Sequence, residues 1–240
     1  MHKILTILLV ILTVITACSS NKTVLTTEEK LAQADQLYAK GKYSRAAELY
    51  AQVYMDRIST ASAYALLREA DCYFKINRFA DAYSAYQEYI INFPNYPEVS
   101  TALFRSAVCL YEQSLGPQYD QTETIMAIEA FEKFISKYPN DPRCNEALQY
   151  IQKAKYKLTE KKFHIGYTYY KMRDYSAALM YFKEIIAEGN TNSLDRQSLY
   201  YTTLILHKQK LDDQALVYYN TLKAKYPGSK ESKKLEKYFK

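Results

Sequence analysis

The sequence predicts an all-α protein: a right-handed solenoid of about five helix pairs, with one long bridging helix between the third and fourth pairs. Turn-forming residues are scarce, because the 240 residues include only five glycines and six prolines, which argues against an all-β design. Apolar residues recur at helical spacing along most of the chain. One pattern of small and aromatic residues occurs five times, as expected for stacked repeats.

The N-terminus has the composition of an export signal. His2 and Lys3 precede an uncharged apolar run, Ile4–Thr16, and small residues lead from it to Cys18. A positive start, a short apolar run and small residues at a cleavage point are typical of a secretory signal. The run is too short to span a bilayer, which takes about 20 apolar residues. No other stretch of the sequence is long and apolar enough to do so.

The segment Ile15–Cys18 resembles the bacterial lipobox. In a lipobox the cysteine thiol receives diacylglycerol, and the chain is cut ahead of that cysteine. The resemblance implies that residues 1–17 are removed and that Cys18 carries a covalent lipid, with no other cofactor. Residues 18–27 would then form a lipid-anchored linker. An ordinary signal peptide with an incidental cysteine is the alternative.

Five segments of the chain share one pattern. They align on five alanines: Ala46, Ala82, Ala127, Ala178 and Ala215. Four and seven residues after each alanine, on the same helical face, come large apolar side chains: Tyr50 and Val53, Tyr86 and Tyr89, Phe131 and Phe134, Phe182 and Ile185, Tyr219 and Leu222. Twelve residues before four of the alanines come small residues that let helices approach closely: Ala34, Ala70, Gly166 and Thr203. The pattern resembles the tetratricopeptide repeat, a helix–turn–helix unit.

Two of the spacings between these alanines are long. In the first, a polar insert that contains Gly116 and Pro117 replaces a short turn, and we expect it to leave the stack as a loop. In the second, residues 143–170 contain no helix breaker and predict the bridging helix, or two helices with a slight kink. The chain then divides into repeats 1–3 in residues 28–142, which would bind a substrate. The bridging helix, repeats 4–5 and a capping helix in residues 143–240 would dock a partner.

The C-terminal residues 229–239 predict a helix that caps the stack, with Leu235, Tyr238 and Phe239 on its apolar face. Lysines are dense around this helix: Lys223, Lys225, Lys230, Lys233, Lys234, Lys237 and Lys240. One interpretation is a solvated face, and the other is a contact with an acidic subunit or anionic lipid headgroups. The net charge is +6, but elsewhere the basic residues are scattered and no recognition motif occurs. We therefore expect no nucleic-acid partner.

The sequence shows no catalytic or metal-binding pattern. His164 and His207 have no cysteine, aspartate or second histidine at ligand spacing, and the common metalloprotease, phosphate-loop and nucleophile-elbow motifs are absent. With Cys18 acylated, three cysteines remain, so a complete disulfide framework is impossible. Cys72 and Cys109 occupy equivalent repeat positions and are interpreted as small buried residues. We expect no enzyme, no catalytic residue and no metal, but a protein that binds other proteins.

The first helix of each predicted pair carries a second stripe, one position after the residues that pack into the stack. In tetratricopeptide proteins this stripe lines a concave groove, which could hold an extended or aromatic-ended peptide. Eight residues are predicted to bind it: Leu31, Tyr38, Leu67, Asp71, Phe74, Lys75, Phe104 and Tyr111. Because Asp35 and Asp71 would repel a terminal carboxylate, that end of the peptide is expected near Lys75. Packing against the neighbouring pair or against residues 21–27 is the alternative.

Residues 93–175 resemble one family in particular, the BamD family of tetratricopeptide lipoproteins. The resemblance is carried by Asp120-Gln121-Thr122, the segment from Ala130 to Asn140, Leu158, Ile165-Gly166, Tyr169-Tyr170, Tyr175 and Ala177-Ala178. The five-repeat layout and the bridging helix agree with it. Lys162 and Tyr181 depart from it, since the family often has an acidic residue and an arginine there. Those positions are associated with partner contacts, so no partner-contact residue is transferred.

The resemblance implies a function at the outer membrane. It implies a lipid-anchored protein on the periplasmic face that binds unfolded β-barrel precursors and docks on a BamA-like β-barrel insertase. Two other functions remain open at this stage. One is a lipid-anchored repeat scaffold for cell-wall or division proteins, and the other is an accessory lipoprotein for nutrient uptake.

Overall fold

The computed structural model describes residues 25–56 and 60–239, and within those ranges the secondary structure is helical, without a strand. The helices are α1 Thr27–Ala39, α2 Tyr43–Asp56, α3 Thr60–Lys75, α4 Phe79–Asn92, α5 Val99–Gln113, α6 Thr122–Lys137, α7 Cys144–Met172, α8 Tyr175–Ala187, α9 Ser193–Lys208, α10 Asp212–Lys225 and α11 Lys230–Leu235. A short 3-10 helix, Glu236–Tyr238, follows α11. The predicted all-α fold class is confirmed.

The chain forms two compact units, which divide between Cys72 and Tyr73. In the N-terminal unit α1 packs against α2. In the C-terminal unit each helix from α4 to α10 packs against the next one in the chain, and α11 returns to contact α9 and α10. The division therefore falls inside α3, whereas the sequence placed the border between its two functional halves at residues 142 and 143. Those functional halves stay a prediction.

The repeat alignment identified core positions. Each of the five aligned alanines is 0% exposed, and the large side chains four and seven residues later are at most 5% exposed. The small residues twelve positions earlier are buried as well. Gly166 shows why they must be small: a Cβ atom there would lie 3.0 Å from Cβ of Tyr181 and 3.1 Å from Cε1 of Phe182. The contact between α7 and α8 leaves no room for a side chain at this point.

The predicted bridging helix is one continuous helix, α7, of 29 residues. It ends at Arg173, which adopts a left-handed conformation with φ of 65° and turns the chain towards α8. The Asp174 carboxylate accepts a hydrogen bond from the Ala177 amide and caps the start of α8. The second half of α7 packs against α8, so the long helix also serves as the first helix of the fourth pair.

The C-terminal cap is shorter than the predicted helix over residues 229–239. The α-helix ends at Leu235, which is fully buried against Leu199, Tyr219 and Leu222. The ring of Phe239 stacks on Tyr219, with ring centroids 4.7 Å apart. The cap therefore closes the apolar end of α9 and α10 with Leu235 and Phe239, whereas Tyr238, the third residue of the predicted apolar face, is 39% exposed.

The three cysteines in the described ranges are free thiols. Cys72 and Cys109 are fully buried, as expected from their repeat positions. Burial raises the pKa of each of these two thiols to about 12. Because the thiolate is the reactive form, both side chains act as small apolar packing residues at neutral pH.

We expect a charged side chain at an aligned alanine to destabilise the protein far more than the loss of a side chain in the insert. Ala82→Asp and Ala178→Asp each place a carboxylate in a fully buried helix contact, which should lower the free energy of unfolding by on the order of 3 kcal/mol. Gln118→Ala, at an exposed position, should change it by less than about 0.5 kcal/mol. Urea denaturation of the three variants measures the difference. Equal midpoints would show that the repeat alignment is wrong.

Candidate functional site

The predicted binding stripe begins on α1 in the N-terminal unit. Leu31, Asp35 and Tyr38 are each partly exposed there. The Asp35 carboxylate accepts hydrogen bonds from the Tyr50 hydroxyl at 2.5 Å and from the Tyr64 hydroxyl at 2.9 Å. Burial, and then the bond to Asp35, raises the pKa of Tyr50 above its ordinary value, so that hydroxyl remains a donor. Asp35 is therefore an anchored anion beside partly open aromatic surface.

The stripe on α3 is packed rather than open. Leu67 is 9% exposed and Asp71 is 6% exposed. The Asp71 carboxylate lies 3.4 Å from the Arg68 guanidinium, which in turn lies 3.6 Å from the centre of the Tyr38 ring. A cation at that distance interacts with the face of the ring. Leu67 and Asp71 are therefore packed within the protein instead of being open to a peptide. The Asp71 carboxylate holds Arg68 over the ring of Tyr38.

The end of α3 and the start of α4 offer more open surface. Phe74 is half-buried, and its ring meets that of Phe79 edge to face with centroids 5.6 Å apart. Lys75, next to it, is exposed. An aromatic ring with one open side beside a free ammonium group suits an aromatic residue close to a carboxylate. The predicted roles of these two residues remain compatible with their surroundings.

Phe104 departs from the expectation of an open aromatic face. It is 7% exposed, and its ring lies 5.8 Å from Phe131 and 5.4 Å from Phe134 on α6. Tyr150 on α7 adds a third ring, 6.5 Å away. Phe104 is therefore a core residue of the third pair. The pattern on α5 alone could not show this, because the rings that cover Phe104 come from two later helices.

Tyr111, about two turns beyond Phe104 on α5, is half-buried and remains partly accessible. Its ring meets Tyr150 at 5.2 Å, and the Lys157 ammonium lies 4.8 Å from its centre. Burial raises the pKa of Tyr111 above its ordinary value and lowers that of Lys157 below its own. The accessible edge of Tyr111 opens onto α7.

The insert after α5 does not leave the stack, contrary to the expectation from sequence. Helix α5 continues to Gln113, and residues 114–121 fold into a compact loop around the side chain of Gln121. Its amide nitrogen, Nε2, donates to the carbonyl oxygens of Gly116 at 2.8 Å and Asp120 at 3.0 Å. Its oxygen accepts from the Thr124 hydroxyl at 2.7 Å. A single buried amide therefore organises the loop.

Two lysines of α7 hold this loop against the helix. The Lys157 ammonium donates to the Ser114 hydroxyl at 2.6 Å, and the Lys161 ammonium donates to the Tyr119 carbonyl at 2.9 Å. Both bonds join residues more than 40 positions apart. The polar composition suggested an insert that leaves the stack. These long-range bonds instead attach the loop to the side of α7.

The loop and α7 border what we call the α7 groove, which consists of two open cavities that both contact Pro117. The first measures about 440 Å³ and is lined by Tyr111, Pro117, Gln152, Lys153, Tyr156, Lys157 and Glu160. The second measures about 430 Å³ and is lined by Pro117, Gln118, Lys161, His164, Ile165, Thr168, Tyr169 and Met172. Each lies within the range typical of ligand pockets. Of the predicted binding residues, only Tyr111 reaches this groove. The four-residue spacing of Lys153, Lys157 and Lys161 was its one sequence signal.

Comparison with protein families identifies the chain. The model of the YfiO family, described as an outer membrane lipoprotein family, matches residues 17–222. The chain belongs to the YfiO family. That match covers every helix from α1 to α9 and most of α10.

Two relatives of this YfiO-family chain are named outer membrane protein assembly factor BamD. The relative from Caulobacter vibrioides is 26% identical over 203 residues, which cover 82% of this chain and 65% of that protein. The relative from Rickettsia prowazekii is 27% identical over 236 residues, which cover 95% of this chain and 93% of that protein. The chain thus spans slightly less than two thirds of the Caulobacter relative.

Among solved structures, the TPR2AB domain of yeast Sti1 in its pHSP90 complex is similar at 15% identity and a TM-score of 0.47, over 86% of this chain and 80% of that one.

In the YfiO-family chain, none of the helices described for residues 25–56 and 60–239 has the length and apolar character needed to cross a bilayer. The same residues contain no group of three or more histidine, cysteine or acidic side chains placed to hold a metal ion.

We expect Gln121→Ala to release the loop over residues 114–121. The substitution leaves partly buried carbonyl groups and the buried Thr124 hydroxyl without their partner, which should lower the free energy of unfolding by about 1–3 kcal/mol. Amide hydrogen exchange within the loop should accelerate, because the α7 lysines alone cannot hold its shape. Gln118→Ala, a second glutamine of the same loop with an exposed side chain, is the matched control. Exchange as slow as in the wild type would refute the organising role of Gln121.

Proposed function

We propose that this chain is an outer-membrane β-barrel assembly factor that binds unfolded β-barrel precursors and docks on a BamA-like insertase. Membership in a family of outer membrane lipoproteins supports the location, and two relatives named as BamD assembly factors support the role. The all-helical repeat fold, with partly exposed aromatic side chains on several helices, suits a protein that acts by binding other proteins rather than by catalysis.

The proposed anchor is a covalent lipid on Cys18, with the folded units on the periplasmic face of the outer membrane. Cys18 lies outside the described residues, so this part of the proposal rests on sequence. The lipobox-like segment Ile15–Cys18 supports it, and the family match begins at residue 17, directly ahead of the cysteine. One acyl chain binds a membrane only marginally, but several chains together anchor it stably.

The proposed precursor contacts are the predicted residues that remain accessible: Leu31, Tyr38, Phe74, Lys75 and Tyr111. Full burial of one large apolar side chain contributes about 1.5–3 kcal/mol, so a half-buried ring offers only part of that. A few such contacts give a weak complex. Weak binding suits an assembly factor, because the precursor must be passed on to the insertase.

The proposal predicts a specific partner. The mature protein, purified with its lipid from detergent-solubilised outer membrane, should bring down a BamA-like β-barrel protein.

Cys18→Ala should leave the membrane fraction, because no lipid is attached. Mass spectrometry that finds an unmodified Cys18 thiol in wild-type membranes would refute the anchor. Wall-synthesis enzymes or a nutrient transporter in place of the barrel protein would refute the function.

A second test addresses the precursor contacts. Phe74→Ala should weaken binding of a precursor-derived peptide that ends in an aromatic residue by about tenfold, or ~1.4 kcal/mol. Fluorescence anisotropy with a labelled peptide measures the affinity. Ile91→Ala on α4 is the matched control, since that side chain is exposed and belongs to no predicted site.

Phe104→Ala should behave differently from Phe74→Ala. Because Phe104 is buried among three rings, its loss should lower the free energy of unfolding by about 3–5 kcal/mol. Circular dichroism separates that loss of fold from a loss of affinity. Unchanged peptide affinity in a folded Phe74→Ala variant would exclude Phe74 as a contact for the precursor.

A further inference from the structure

Five of the six lysines of α7 fall into two sets with different partners, and the sixth, Lys171, lies 6.0 Å from the centre of the Tyr167 ring. On one side, the Lys155 ammonium lies 3.6 Å from the Glu132 carboxylate. The Lys162 ammonium lies 3.1 Å from Glu188 and 3.9 Å from Glu184. The positive charges of this set are therefore compensated by carboxylates of α6 and of the end of α8.

The second set lines the α7 groove, and its close contacts are to neutral groups. The Lys153 ammonium lies 5.3 Å from the centre of the Tyr150 ring. Lys157 and Lys161 bind a hydroxyl and a carbonyl of the loop. A hydrogen bond to a neutral acceptor positions an ammonium group but leaves its charge in place.

Acidic side chains near this set offset part of its positive charge. Glu112 and Glu160 act on Lys157 electrostatically, and Lys161 acts on the Asp120 carboxylate of the loop. Glu160 also lies 3.9 Å from His164, which is at the far side of the groove. Three lysines and one carboxylate, Glu160, line the groove, so its lining carries an excess of positive charge.

Apolar surface is exposed along the same groove. Tyr156 is 38% exposed and Met172 is 69% exposed. Pro117 contacts both cavities, and Tyr119 on the loop beside it is 58% exposed. Exposed apolar surface that is flanked by charge is typical of a protein-interaction site.

We propose that the α7 groove binds an extended segment of a second protein in which acidic side chains alternate with aromatic or aliphatic ones. Lys153, Lys157 and Lys161 recur every four residues along a helix, which is about 6 Å at 1.5 Å per residue. Side chains on one face of an extended strand recur every two residues, which is about 6.6 Å. Carboxylates at alternate positions of such a segment therefore match the three ammonium groups.

The dimensions of the groove set the length of this segment. From Lys153 to Met172 the helix advances about 28 Å, which an extended chain covers with about eight residues. The side chains between the carboxylates point to the other face of the strand. There they face the loop at Pro117, which supplies apolar contact, while Tyr156 lies on the lysine side of the segment. The inference depends only on the C-terminal unit and does not require the proposed role in β-barrel assembly.

The test uses the full mature chain and a labelled nine-residue peptide in which glutamate alternates with phenylalanine or leucine. Two further peptides serve as controls. In the first, of the same composition, the glutamates are adjacent to one another. In the second, lysine replaces each glutamate. Fluorescence anisotropy at low and at physiological salt gives each affinity. We expect the alternating acidic peptide to bind about tenfold more tightly than the other two. Equal binding of all three peptides would overturn the proposal.

Substitutions assign the binding to the groove. Lys153→Glu should weaken the alternating peptide about tenfold without disturbing the loop, because this lysine makes no loop contact among those described. A peptide with one glutamate changed to lysine should recover part of that loss. The pair Lys155→Gln and Lys162→Gln, on the compensated side of α7, is the matched control and should leave affinity unchanged. Unaltered affinity in a folded Lys153→Glu protein, or an equal loss in the control pair, would refute the assignment.

Discussion

The structure depends on helix contacts that leave no room for a side chain. At Gly166, the second half of α7 approaches α8 so closely that a Cβ atom would touch Tyr181 and Phe182. Small buried residues occupy the matching position in three other segments of the chain, at Ala34, Ala70 and Thr203. Once a small residue sets the separation of two helices, large side chains four and seven residues after the aligned alanine must fill the space beside it. This explains why aromatic residues dominate those positions, and why buried tyrosines such as Tyr50 and Tyr89 find carboxylate partners for their hydroxyls.

The residues that sequence predicted well are those whose environment repeats. Ala82 and Ala178 occupy the same position in different pairs, so one pattern describes both and the structure buries both completely. Residues whose surroundings come from distant parts of the chain were harder to predict. Phe104 and Leu31 hold equivalent positions on their first helices, yet Leu31 is partly exposed, whereas Phe104 is covered by rings from two later helices. The loop over residues 114–121 was harder still, because its shape depends on one buried amide and on bonds to lysines more than 40 positions away.

The departures from regular repetition create the most distinctive surface of the C-terminal unit. The longer spacings yield a folded loop and a helix of 29 residues, and the α7 groove lies where these two meet. The two residues that depart from the family pattern also have local partners. Lys162 is paired with carboxylates at the end of α8, and Tyr181 stacks on Tyr169 with centroids 5.9 Å apart. Both side chains are thereby committed to contacts within the chain, which supports leaving family partner contacts at these positions unassigned.

The energetics of the α7 groove favour selectivity over tight binding. Exposed ion pairs contribute about 0.2–1 kcal/mol each, so three of them add at most about 3 kcal/mol, and less at physiological salt. One or two partly buried apolar side chains add a similar amount. Association and the ordering of an extended segment cost at least about 4 kcal/mol, so the net affinity is low. Discrimination between segments does not suffer in the same way, because a misplaced carboxylate loses its ammonium partner and a misplaced lysine is repelled. A groove of this kind recognises the spacing of charges and then releases its ligand, which suits exchange of partners better than a permanent complex.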